Sequence, residues 1–163
     1  DKLINLSANN IYSLPTSITT LFSGFENIKF SHFSSAFIEQ SLLTTKSNKA
    51  LSTIYVNVLE NSFQVCIIKN QQLALYNSFI YQSSEDFIYY LLFVLDQEGI
   101  NNEEATITLS GIIDKQSPIY SIMYKYINQI EFAKRTDSIA FSYILEEIPH
   151  HSYYTLFNQY LCE

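Results

Sequence analysis

From Thr53 to Arg135 the spacing of apolar residues changes in a fixed order, and each change marks an element. Thr53-Ile54-Tyr55-Val56-Asn57-Val58-Leu59 places Ile54, Val56 and Val58 on one side of an extended chain, because successive strand side chains point to opposite faces. Glu60-Asn61-Ser62 is a polar turn cluster, and Phe63 to Ile68 forms a second strand. The run Lys69-Asn70-Gln71-Gln72 turns the chain into a third, Leu73 to Tyr81. Connections this short join antiparallel neighbours, so the three strands predict a meander.

The period then lengthens. Ser83 precedes Glu85 and Asp86, a helix cap followed by acids at the positive end of the helix, with Asp86 three residues after Ser83 as in a loose capping box. Phe87, Ile88, Leu91, Leu92 and Leu95 make one face, and Phe93 and Val94 fill a second, so the helix reads as apolar all round and mostly buried. Gly99 is its expected C-terminal cap. Ala105 to Ile113 is a continuous β-favouring run, suited to a strand covered on both faces. Ser117-Pro118 opens a second helix with an inner stripe of Ile119, Ile122, Met123, Tyr126 and Ile127, and Ile130 to Ala133 supplies a last strand. Strand–helix–strand connections of this length predict parallel, right-handed crossovers.

The flanks read as packing around this unit. Ile11 to Leu14 predicts a short strand, Pro15 a helix through Ile18, Leu21 and Phe22 closed by Gly24, and Asn27 to Phe30 another strand. Ser34 is the expected cap of a helix carrying Phe37, Ile38 and Leu42, and the polar stretch Thr44 to Ala50 is the expected linker. Beyond the unit, Ser138 to Leu145 predicts a strand, Glu146-Glu147-Ile148-Pro149 breaks it, and Ser152 begins a helix that turns Tyr153, Leu156, Phe157, Tyr160 and Leu161 inward. No Met stands first, so Asp1 reads as a boundary or processed end.

Strand, strand, strand, helix, strand, helix, strand resembles the ribonuclease H-like fold, which is also the core of each lobe in actin-like ATPases. Leu73-Ala74-Leu75-Tyr76-Asn77-Ser78-Phe79, Glu85-Asp86-Phe87-Ile88-Tyr89-Tyr90-Leu91-Leu92-Phe93 and Leu161-Cys162-Glu163 look like a Bacteroidetes-type family known as a domain of unknown function. Its members resemble the second lobe of pilus- and secretion-platform actin-like proteins. The resemblance implies an α/β chain with a mixed sheet, a three-stranded antiparallel meander plus two parallel crossover strands, and helices on both faces. It also implies a division in which residues 1–50 are similar to the end of a preceding lobe and residues 51–163 form the core with its C-terminal cover.

Glycine content narrows the chemistry. The 163 residues contain three glycines, Gly24, Gly99 and Gly111, so neither a dinucleotide fingerprint nor a P-loop can be written into the chain. Actin-like lobes carry an Asp-x-Gly phosphate loop after the first strand; the matching residues are Asn57-Val58-Leu59. Their glycine pair after the fourth strand is reduced to Ser110-Gly111-Ile112, and Glu85 and Asp86 occupy the helix start that would otherwise favour phosphate. A net charge of −7 and scattered basic residues, the densest at Lys46/Lys49 and Lys134-Arg135, argue against nucleic acid. The aromatic content is then read as core and rim rather than as stacking platforms for single strands.

Other candidate residues read as structural. A metal nuclease would gather Glu60, Asp86 and Asp114, but Asn57 stands at the decisive position on the first strand, where a carboxylate is the better magnesium ligand. His150-His151 is an adjacent pair whose side chains diverge on a strand, and His32 follows an apolar strand as a half-buried, satisfied histidine. Ser7 and Ser110 lack a nucleophile-elbow context, and Cys66 lacks a nearby base. Cys66 and Cys162 make no disulfide framework, no apolar run approaches a membrane span, and no positively charged stretch followed by an apolar leader run can be read in these residues, which together predict the cytoplasm unless a leader has been removed.

These observations converge on a degenerate actin-like interaction or scaffold module with no catalytic, cofactor-binding or metal-binding residue. Its expected partner is another protein, met through an apolar aromatic surface where a first lobe would dock; Tyr89, Tyr90, Tyr124 and Tyr126 lie at positions open to core or surface. One alternative is an actin-like ATPase whose missing first lobe completes the nucleotide site, and another is the metal nuclease.

Overall fold

The computed structural model describes residues 1–46, 52–135 and 139–159. The chain opens with a minimal hairpin, β1 (Lys2–Leu3) and β2 (Ala8–Asn9), followed by α1 (Thr16–Leu21) and α2 (Phe33–Lys46). The meander is β3 (Ser52–Val58), β4 (Ser62–Lys69) and β5 (Gln72–Ile80). Then come α3 (Ser84–Gln97), β6 (Thr106–Gly111), α4 (Pro118–Tyr126), β7 (Gln129–Phe132), a 3₁₀ turn at Tyr143–Glu147 and α5 (Tyr154–Gln159).

The main sheet has the order β5-β4-β3-β6-β7. β3 pairs antiparallel with β4 and parallel with β6, and β6 pairs parallel with β7, so the predicted mixed sheet is present. Because strand residues alternate, β3 and β4 feed two cores. Ile54, Val56, Val58, Phe63, Val65 and Ile67 point to the face covered by α3 and α4. Tyr55, Cys66 and Ile68 point to the other face, beneath Phe37, Ile38 and Leu42 of α2. Burial on both faces explains why β3 and β4 read as near-continuous apolar runs.

Helix ends follow the sequence closely where local bonding decides them. Ser83 Oγ accepts the Asp86 N–H at 3.1 Å, and the Asp86 carboxylate returns a bond to the Gln82 N–H at 3.1 Å. At the other end Gly99, at φ +64°, donates to Asp96 O and Ile100 donates to Leu95 O, a Schellman closure. Ser117 Oγ likewise caps α4 by accepting the Tyr120 N–H.

Several expectations are corrected. Neither Ile11 to Leu14 nor Asn27 to Phe30 is a strand, because neither finds a neighbour for its backbone groups. α2 starts at Phe33, and its cap is His32 rather than Ser34: His32 Nδ1 accepts the Ser34 N–H. α3 is not buried all round; Tyr89 and Phe93 are exposed. Tyr126 of α4 is exposed too. β6 is not covered on both faces, since Thr106 is exposed and Thr108 half-buried where α2 and α5 leave the sheet open. The predicted strand ending at Leu145 is instead the 3₁₀ turn, with Ser138 outside the described residues. α5 turns Tyr154, Thr155 and Asn158 inward and leaves Tyr153 and Leu156 exposed, one residue out of phase with the prediction. Tyr160 and the Leu161-Cys162-Glu163 motif lie outside the described residues, as does the Ser47 to Ala50 part of the expected linker.

Candidate functional site

β3 and β6 run parallel and end together, with Val58 opposite Gly111. In open α/β sheets such carboxyl ends are where ligands gather, so the chemistry of the chain is to be sought there first. The polar side chains at this end are turned into the molecule and bonded to each other. Asn57 Oδ1 accepts from Ser110 Oγ at 2.9 Å, and Asn57 Nδ2 donates to Gln64 Oε1 at 3.3 Å. All three residues are buried, so the amide is engaged at both ends inside the sheet. Asn57 and Gln64 are direct cross-strand partners, a pairing legible from the turn between them.

Gly111 is held by the backbone itself. It sits at φ +93°, and a Cβ built there would lie 2.0 Å from Val58 O. Ile112 N–H donates to that same carbonyl at 2.7 Å, while Gly111 N–H donates to His151 O at 2.9 Å. The C-terminal segment thus lies across the strand ends. His151 Nε2 meets Ile113 O at 2.6 Å, and its ring packs on Phe132 with centroids 4.3 Å apart, whereas His150 is exposed. The two histidines point apart.

The three carboxylates weighed as metal ligands serve separate local structures. Glu60 is exposed in the β3–β4 turn, Asp86 caps α3, and Asp114 Oδ1 accepts the Gln116 N–H at 2.8 Å. Among the described residues no group of three or more His, Cys, Asp or Glu is gathered as a metal site. Ser7 lies in the β1–β2 turn at φ 54°. His32 is exposed, not half-buried, and its Nδ1 lies 2.6 Å from Ser34 Oγ. Burial pushes the Cys66 thiol up to about 12, with Ser41 pulling weakly the other way. That thiol stays protonated at neutral pH and is a poor nucleophile.

Comparison with known proteins places this arrangement. The sequence profile of the family described as "Protein of unknown function (DUF3822)" matches residues 1–130. The chain belongs to this family. A solved structure from Bacteroides thetaiotaomicron VPI-5482, a protein with actin-like ATPase fold and unknown function, superposes with a TM-score of 0.70 at 23% identity. The match covers 91% of this chain and 51% of that one, so the chain spans about half the length of this relative. The actin-like, ribonuclease H-like fold inferred from element order is therefore present. The foamy viral protease-reverse transcriptase, in complex with dsDNA, aligns over 72% of this chain and 33% of its own at 13% identity, with a TM-score of 0.31. No curated protein matches.

Within this member of the family, two other features of the surface stand out. On the α2 and α5 side of β6 and β7, a groove of about 1090 Å3 is lined by Gln40, Thr44, Tyr55, Thr106, Thr108 and Glu131 among others. The second feature is an arm. Asp1, Asn10, Tyr12 and His32 tie its base: the Asp1 carboxylate accepts from His32 N–H and Ser35 Oγ, each at 2.6 Å, and Tyr12 OH donates to Phe30 O at 2.8 Å. Beyond that base, α1 buries none of its residues. Ile11, Leu21 and Phe25 are 91%, 72% and 67% exposed, and Leu14, Ile18, Phe22 and Ile28 are exposed beside them. The sequence placed Ile18, Leu21 and Phe22 on a helix without deciding which of these residues are covered, and no steady period between Ile11 and Phe30 marks an inner face.

No helix among the described residues is long and apolar enough to cross a membrane.

Proposed function

We propose that this chain is a non-catalytic recognition module, an actin-like lobe without phosphate-handling loops, that binds another protein through the arm from Ile11 to Ile28. The observation that carries the reading is the exposure of seven large apolar side chains on a segment whose only charge is Glu26. Burying even Ile11, Leu21 and Phe25 in a partner is worth about 1.5–3 kcal/mol each before ordering costs, enough for a specific contact. The strand ends support the negative half of the proposal. Asn57 spends its amide on Ser110 and Gln64, Gly111 is filled by Val58, and the start of α3 already holds Ser83, Glu85 and Asp86. A free, buried thiol at Cys66 fits action in the reducing cytoplasm.

The test pairs two measurements. Thermal unfolding with and without magnesium ATP is expected to give the same midpoint, since only a ligand of the native state raises it. Capture from source-cell extract is expected to retain a partner on the native chain and lose it on a Leu21→Glu, Phe25→Glu double variant of unchanged thermal stability. A reproducible rise with nucleotide, or a partner indifferent to the double variant, overturns the reading.

A further inference from the structure

β5 is the outer strand on one side of the sheet and, among the described residues, pairs only with β4. Tyr81 N–H turns inward to Asn61 O at 3.2 Å. Antiparallel ladders alternate, so Asn77 and Phe79 also turn inward, and Tyr76, Ser78 and Ile80 present their N–H and C=O groups to the free edge. Natural sheets blunt such edges with charge, proline or cover. Over its nine residues β5 has no proline and no charged side chain, in a chain whose net charge is −7.

Two partial guards are present. A register shift leaves Ala74 as a bulge, and Asn77 Oδ1 accepts the Ser78 N–H at 2.8 Å. They leave the stretch from Leu75 to Ile80 regular. Beside it runs a ladder of rings: Phe79 on Tyr90 at 5.4 Å, Tyr90 on Tyr89 at 5.4 Å, and Tyr89 on Phe93 at 6.5 Å. Its outer members Tyr89 and Phe93 are exposed, as is Ile80 at 76%.

We propose that β5 pairs antiparallel with β5 of a second copy of this chain, joining two five-stranded sheets across a two-fold axis at Asn77. An axis normal to the sheet keeps each face intact, so every residue must oppose one of its own parity. Centred on Asn77, the register sets Leu75 against the partner's Phe79, Tyr76 against the partner's Ser78, and Ala74 against the partner's Ile80. Tyr76 and Ser78 are edge-facing, so this pair exchanges the N–H···O bonds, with the Ser78 N–H passing from the Asn77 amide to the partner strand. Apolar residues meet apolar or small ones, and within the strand no charge meets its like. A strand from an unrelated protein could satisfy the same backbone groups. The self-complementary register, and an edge strand without charge in a chain of net charge −7, favour a copy.

Sedimentation of the full chain across a micromolar concentration series tests this directly. The native chain is expected to form dimers. Asn77→Lys, which sets two lysines against each other at the axis, and Ser78→Pro, which removes an edge-facing donor at a site where proline is tolerated, should each raise the dissociation constant at least about tenfold. Circular dichroism and the unfolding midpoint report that the fold is kept; Asn77 is exposed, so its variant remains informative if the proline variant fails to fold. A native chain that stays monomeric overturns the proposal, as does a dimer unaffected by Asn77→Lys. A dimer lost only in the Leu21→Glu, Phe25→Glu variant overturns it as well and assigns self-association to the arm. The arm's role with another protein does not depend on the result.

Discussion

Gly111 shows how one residue can hold two strands together. Its left-handed backbone and the contact with Val58 O mean that any side chain at this position must push β3 and β6 apart. Gly111→Ala is expected to destabilise the chain by about 2–4 kcal/mol, read from urea midpoints at unchanged slope. Cys66 illustrates burial rather than contact. Its thiol is pushed up to about 12, chiefly by burial, and Tyr76 is likewise pushed up to about 12 by burial. The unfolded chain therefore sheds these protons first, and the native state loses stability as pH rises from about 9 towards 12. Urea midpoints taken from about pH 8 to about pH 11 should fall, and Cys66→Ala should flatten the early part of that fall even though the cavity lowers the whole curve. The sequence supplied both residues, but gave Cys66 no role and Gly111 a family comparison. Only the register of β3, β4 and β6 showed what surrounds them.

Elements were legible wherever neighbours along the chain decide them. The hairpin between β4 and β5 turns on Asn70 and Gln71, both at positive φ, as a two-residue turn requires. α3 begins and ends at its predicted caps because those bonds span only a few residues. Ser83→Ala is accordingly expected to cost about 1 kcal/mol in thermal or urea unfolding, since it frees the Asp86 N–H without touching the core. The misread elements share a different origin. Ile11 to Leu14 and Asn27 to Phe30 carry β-favouring residues, but a strand exists only if another strand accepts its bonds. α5 is short, and a six-residue helix offers too few positions for a stripe to fix its phase. Its inward face is set by packing on α2 and β6.

At the scale of the molecule, the order of periods along the chain determined the fold. Alternation, helical spacing and connection length leave few topologies once parallel crossovers are required, and the meander with two crossovers is the one the chain adopts. The sequence also determined that three separated glycines can write neither a dinucleotide fingerprint nor a P-loop, because that property depends on which residues are present and in what order, not on how the chain folds. What needed the tertiary structure was the fate of each apolar residue left over. Leu21 and Phe25 look no different in sequence from Phe87 and Leu91, yet the first pair stands in solvent on an arm and the second lies beneath the sheet. Burial is a relation among distant parts of the chain, so composition and period can say that a residue is apolar but not what covers it. The same holds for β5: its sequence makes it a strand, and only its place at the end of the order β5-β4-β3-β6-β7 makes it an open edge.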